Sequence, residues 1–147
     1  MSARHRAAFT LIEVLMSLTI VALLSSIAVP KYREMRRRAT ATQILGDFDV
    51  LRHAALSFYV DSQYFPAEAP QSQVPPGLKQ YLPNGFKMTK PQWEWDYDNW
   101  SDKKMGTVIG ISYRTIDANL GRTAMKLVGN TPGYFIGTKY TFFISGF

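Results

Sequence analysis

The chain has 147 residues, 46% of them apolar and 14% aromatic, which suits one folded domain with a modest core and argues against disorder. It contains no cysteine, so disulfides, thiolate metal sites, cysteine nucleophiles and thiol redox chemistry are all excluded. The net charge of +6 is uneven: beyond residue 39 there are 10 basic residues against 9 acidic ones, and the excess sits on the two flanks of one apolar segment.

That segment comes first in chain order. Phe9 to Val29 reads FTLIEVLMSLTIVALLSSIAV, 21 residues with a single charge, Glu13. At 1.5 Å per residue such a helix spans about 32 Å, close to the ~30 Å hydrocarbon core of a bilayer. It is a candidate transmembrane helix. A cleaved secretory signal is the alternative, with Ser26-Ile27-Ala28 as a small-x-small site. Against it, the run is long for a signal core, Pro30 would fall second after the cut, and a discarded segment has no use for Glu13. Arg4 and Arg6 precede the run, and KYREMRRR, from Lys31 to Arg38, places five basic residues and Glu34 after it. Basic flanks of this kind meet the headgroups of membrane lipid. Nucleic acid is not an expected partner, because no reader motif accompanies the basic run.

The stretch RAAFTLIEVLMSLTIVALLSSIAVPKY resembles the N-terminus shared by type IV prepilins and type II secretion pseudopilins. That family has a short basic leader, Phe-Thr-Leu-Ile-Glu at the start of the mature chain, and a proline about 22 positions in. Phe9, Thr10, Leu11, Ile12 and Glu13 match it one for one, and Pro30 is the 22nd residue counted from Phe9. The resemblance implies that a prepilin peptidase cuts between Ala8 and Phe9 and methylates the new Phe9 amine. Ala8 stands where the family has glycine. It also implies a single-pass precursor in the inner membrane with its N-terminus in the cytoplasm. An assembly platform with its ATPase would then draw the subunit, as a homo- or hetero-filament, into a periplasmic or cell-surface fibre. Local Lys/Arg counting, with two basic residues before the span and five after it, favours the opposite orientation.

Physics supplies a reason for Glu13. In an apolar helix bundle an unpaired carboxylate is costly. The free Phe9 amine of a neighbouring subunit lies at a similar depth, so pairing Glu13 with it would satisfy both charges and set the axial register.

After Pro30 the pattern turns amphipathic. Ala41, Ile44, Leu45, Phe48, Leu51, Ala55, Phe58 and Tyr59 form one stripe, so the helix is expected to continue to about Ser62. Pro30 is a candidate kink and Gly46 a weaker soft point. His53 reads as a solvated helix residue. Six of the eight prolines fall in residues 66–91, a long loop. Trp93, Trp95 and Tyr97 then alternate with Glu94, Asp96 and Asp98 as in a half-buried strand, and Thr107 to Ile116 is β-rich. Asp117 to Gly121 reads as a turn, and Arg122 to Val128 as a strand or a short helix. Tyr134–Ile136 and Tyr140–Ile144 suggest a closing hairpin. The expected fold is α+β, a long N-terminal helix whose first half spans the membrane and whose second half packs on a small antiparallel sheet of about four strands. The expected divisions are a leader (1–8), a membrane and filament-core helix (9–30), its amphipathic continuation (31–62) and a β head (63–147).

Candidate chemistry in the head is thin. Asp96, Asp98, Asn99 and Asp102 cluster oxygen ligands suited to calcium, a metal that some pseudopilins bind in a head loop. EF-hand spacing is absent, and no other cofactor is expected. Trp93, Trp95 and Trp100 could stack a sugar or a peptide, which would make the chain an anchored or secreted binding module, although core packing is the simpler role for the first two. No Ser/His/Asp set or nucleotide loop is present, so no enzyme is expected, and the resemblance implies a structural subunit of a type IV pilus or a secretion pseudopilus.

Overall fold

The computed structural model describes residues 9–102, 106–129 and 131–145. A single helix, α1, runs over Leu11–Ser62, continuous through both Pro30 and Gly46. Pro30 has no N–H to donate, so the Ser26 carbonyl one turn earlier lacks its usual helical partner. The chain divides into two compact units, Met1–Arg36 and Arg37–Phe147.

In the first unit, the α1 residues from Leu11 to Val29 are apolar on every side and none of them is buried. The helix is long and apolar enough to cross a membrane by length and composition.

The second unit is built around the amphipathic stretch of α1. Ala41, Ile44, Phe48, Leu51, Ala54, Ala55 and Phe58 are buried, at the three- and four-residue spacing that keeps them on one face. Tyr59, which the sequence pattern places on the stripe, is instead exposed and stacks on Phe65 with ring centroids 4.6 Å apart. The stripe packs on a four-stranded antiparallel sheet of order β1-β2-β4-β3, formed by β1 (Glu94–Asp102), β2 (Gly106–Arg114), β3 (Gly133–Ile136) and β4 (Lys139–Ser145). Register places Trp95 opposite Tyr113 and Tyr97 opposite Ile111, while Tyr140 and Phe142 on β4 sit beside Tyr113 and Ile111. These six side chains form the core face, and Phe48 of α1 meets Phe142 at 5.0 Å. The α+β architecture is as the sequence predicts.

Two local expectations are corrected. Residues from Asp117 do not make a turn. Asp117 caps a helix, α2 (Ala118–Leu127), its carboxylate accepting from the Asn119 and Leu120 amides at 2.9 and 3.0 Å. The strand reading of Arg122 to Val128 falls with it, because Leu120 and Ala124, four apart, carry the buried face. Gly121 is required there, since a Cβ would run into the Tyr140 ring, and the Gly121 carbonyl accepts from the Tyr113 hydroxyl at 2.6 Å.

The proline-rich connection acts as a strap. Its one helical element is a 3-10 helix, Leu78–Gln80, anchored by the fully buried Leu78. Gly77 precedes it with φ +88°, and a Cβ there would lie 2.5 Å from the Phe58 ring, so both backbone and space demand glycine. Farther back, the Pro66 carbonyl accepts from Tyr97 Oη at 3.3 Å and Asn99 Nδ2 at 2.6 Å, and Glu68 accepts from the Asn99 amide. Gln71 and Ser72 donate to Glu94, each at 2.9 Å. The exposed edge of β1 is thereby covered, which removes a template for unwanted strand pairing.

Candidate functional site

The start of α1 holds the residues of greatest functional interest. Phe9 and Thr10 precede the helix, both exposed, and Ala8 lies outside the described residues. Thr10 and Glu13 form a reciprocal capping box: the Thr10 amide and hydroxyl both donate to Glu13 Oε2 at 2.8 Å, and the Glu13 amide donates back to Thr10 Oγ1 at 3.3 Å. The carboxylate also lies in the first turn, where the helix dipole favours negative charge. Glu13 therefore has partners within its own chain, a role the sequence reading missed. The Thr-x-x-Glu spacing of residues 10 and 13 was its signal.

Farther along the apolar run, polar side chains close on the helix itself. Ser17 donates to the Glu13 carbonyl at 2.8 Å, Thr19 to the Leu15 carbonyl at 2.9 Å, and Ser26 to the Leu23 carbonyl at 2.7 Å. Hydroxyls bonded in this way can enter hydrocarbon without losing a partner.

In the second unit, the outer face of the sheet carries a charged network. Lys139 Nζ donates to Asp98 Oδ1 at 2.7 Å and to Asp96 Oδ2 at 3.1 Å. Ser112, fully buried, donates to Asp98, so the Thr141 hydroxyl 2.8 Å away donates to Ser112 in turn. Burial pushes the Asp96 carboxyl above its ordinary range, and Asp98 adds to this, since one ammonium is shared between two carboxylates. Burial acts to lower the Lys139 ammonium, but its hydrogen bonds to Asp98 and Asp96 outweigh that and hold it above the usual lysine range. Glu94 and Arg114 extend the row at 3.6 Å.

Asp96, Asp98 and Asn99, three of the four calcium candidates, are not brought together by this arrangement, and the side chain of Asp102 lies outside the described residues. Asp96 and Asp98 are engaged by Lys139, while Asn99 points to the opposite face and bonds Pro66. Asp102 ends β1, four residues beyond Asp98. Among the described residues there is no group of three or more acidic or histidine side chains able to hold a metal ion. His53 is exposed, its Nδ1 2.7 Å from the Asp49 carbonyl one turn back.

The tryptophans divide. Trp93 and Trp95 are buried, and Trp95 Nε1 donates to Asp47 Oδ2 at 3.3 Å, tying β1 to α1. Only Trp100 reaches the outer face, where it joins Phe143 at 6.1 Å, and Phe143 meets Tyr134 at 5.6 Å. A pocket of about 480 Å³ opens between residues 89–94 and 114–120. Its charged groups are engaged internally: Lys90 pairs with Asp47 at 3.4 Å, Arg114 pairs with Glu94, and Asp117 caps α2.

Residues 3–29 match the family model of the prokaryotic N-terminal methylation motif. No curated protein and no solved structure matches the chain.

Proposed function

Because the chain carries the N-terminal methylation motif of type IV prepilins and pseudopilins, we propose that it is a structural, non-enzymatic subunit of a type IV pilus or a type II secretion pseudopilus. Prepilin peptidase cuts it between Ala8 and Phe9 and methylates the Phe9 amine. The subunit waits in the inner membrane with its N-terminus in the cytoplasm, and a platform with its ATPase draws it into a periplasmic or surface filament. The match over residues 3–29 carries this reading, and the unburied apolar stretch of α1 supports it.

Within the fibre, the Phe9 amine of one subunit meets Glu13 of the next. Thr10 already gathers the Glu13 carboxylate at the helix start, so that charge is presented in one place and not on a free rotor. An incoming ammonium adds a charged partner in an apolar bundle, where a misregistered carboxylate is penalised. Pro30, which lacks the helical donor, supplies a point at which α1 bends to follow its neighbours.

Calcium has no assigned part in this reading. The alternative is a binding module that takes a carbohydrate or peptide on Trp100, Phe143 and Tyr134, the aromatic side chains that gather on the outer face. N-terminal analysis of the protein from membranes separates the two. A mature chain beginning at N-methylated Phe9 and present in sheared fibres fits the filament subunit. A soluble chain beginning at Val29 overturns it.

A further inference from the structure

The basic residues that follow the apolar run surround the helix instead of lining one face of it. α1 advances about 100° per residue. On that spacing Lys31, Arg33 and Arg36 stand at about 0°, 200° and 140°, and Arg37 and Arg38 follow at about 240° and 340°. The widest interval without a cation holds Tyr32, exposed like Lys31, Arg33 and Arg36. Glu34 offsets one of the five positive charges. A partner that touches one side, such as a duplex groove or an acidic protein face, would leave half of these cations unused. A layer that encloses the helix can be met from every side, and Lys31, Arg33 and Arg36 are the cations nearest to it.

Their depth agrees with such a layer. If Val29 ends the hydrocarbon span, Lys31 lies about 3 Å past it, Arg33 about 6 Å and Arg36 about 10 Å. The headgroup region on each side of a bilayer is roughly 5–7 Å deep, and long basic side chains adjust their height by snorkelling. Tyr32 occupies the level at which interfacial aromatic residues collect. We infer that Lys31, Arg33 and Arg36 bind anionic phospholipid headgroups of the leaflet at the C-terminal end of the span. This rests on the membrane-span reading of residues 9–29. The ring of cations holds the unassembled subunit at a fixed depth, and leaving the membrane requires exchanging those headgroups for other anions. It also anchors the end of the span that local charge counting would keep in the cytoplasm.

The absence of cysteine makes a direct test simple. Met35→Cys, at an exposed position within the ring, gives the full chain a single thiol for a fluorescent donor. The protein is reconstituted into vesicles of phosphatidylcholine containing phosphatidylglycerol, with a trace of headgroup-labelled acceptor of one lipid or the other. At low salt, energy transfer should favour the phosphatidylglycerol acceptor several-fold. Lys31→Gln, Arg33→Gln and Arg36→Gln should each lower that preference, and the three together should abolish it. Lys31→Arg should keep it, and added salt should weaken it. Equal transfer to both lipids by an integrated protein overturns the inference and leaves the span intact. Failure to stay with vesicles through an alkaline wash overturns the span itself. A short DNA duplex that displaces phosphatidylglycerol from the label also overturns the inference, by assigning the cations to nucleic acid.

Discussion

Two stretches of α1 of comparable length make opposite uses of apolar side chains. From Leu11 to Val29 they cover every side of the helix, and all of them stay exposed. From Ala41 to Phe58 they keep to one stripe, and that stripe is buried on β1, β2 and β4. Both stretches have the same hydrogen-bonded backbone; the distribution of side chains decides what each needs. A stripe is satisfied by a partner on one side, which the chain supplies from its own sheet. A helix that is apolar all round needs surroundings that enclose it, either lipid or a bundle of like helices. The contrast teaches that the second stretch is satisfied within its own fold and the first is not.

Substitutions can break or sharpen this contrast. The largest effect is expected from Glu13→Ala, which removes the acid proposed to pair with a neighbour's Phe9 amine. The yield of sheared fibres should fall on the order of tenfold or more, while membrane insertion and the melting of the head stay unchanged. Equal fibre yield would remove the register role and leave only the capping box with Thr10.

Next comes a paired comparison. Phe48→Ala deletes a ring that is 1% exposed and packed on Phe142, and should destabilise the second unit by about 3–5 kcal/mol in denaturant unfolding. Leu24→Ala, in the exposed stretch, should leave that same transition within about 0.5 kcal/mol. If Leu24→Ala proved equally costly to the head, the division of labour along α1 would be wrong.

A smaller loss tests the outer face of the sheet. Lys139→Gln leaves Asp96 and Asp98 without their shared cation and should cost about 1–2 kcal/mol at neutral pH, a figure reduced because a third of the lysine side chain is open to water. The pH dependence has a definite sign. Asp96 binds its proton more readily folded than unfolded, so its ionisation costs stability as pH rises from the ordinary carboxylate range through its raised value. The stabilisation that Lys139 provides is present below the ordinary lysine range and is lost as pH rises through its raised folded value. The deficit of Lys139→Gln should therefore shrink on acidification, as Asp96 takes up its proton. A deficit independent of pH would assign the lysine a packing role only. The smallest change is Asp117→Ala, which removes the cap of α2 and should cost about 1 kcal/mol.

The long helix, its end near Ser62, its buried stripe and the closing hairpin were all legible in the sequence, because each rests on a period that a linear pattern displays. Ala54 joined the buried face unannounced, since alanine carries too little apolar surface to mark a stripe. The start of α2 was missed because Asp117 and Gly121 are turn-forming residues by composition, while the short-helix reading of Arg122 to Val128 holds for its second half. Only Tyr113 and Tyr140, brought in from β2 and β4, show why a glycine must sit inside that helix. The calcium candidates illustrate the same limit. Neighbours in sequence alternate across a strand, so Asp98 and Asn99 face opposite ways, and Lys139 arrives from β4 more than forty residues later.

The amino-acid sequence alone determined that one uninterrupted apolar run with a single acid near its start, followed by a basic segment, would form a membrane-compatible helix. Those properties depend only on local composition and helical rise. Tertiary structure decided the partners: which tryptophans are interior, which strand edge the proline-rich connection covers, and which cation meets Asp96 and Asp98. These contacts join residues far apart in the chain, and their register follows from strand pairing and packing, which no local pattern encodes.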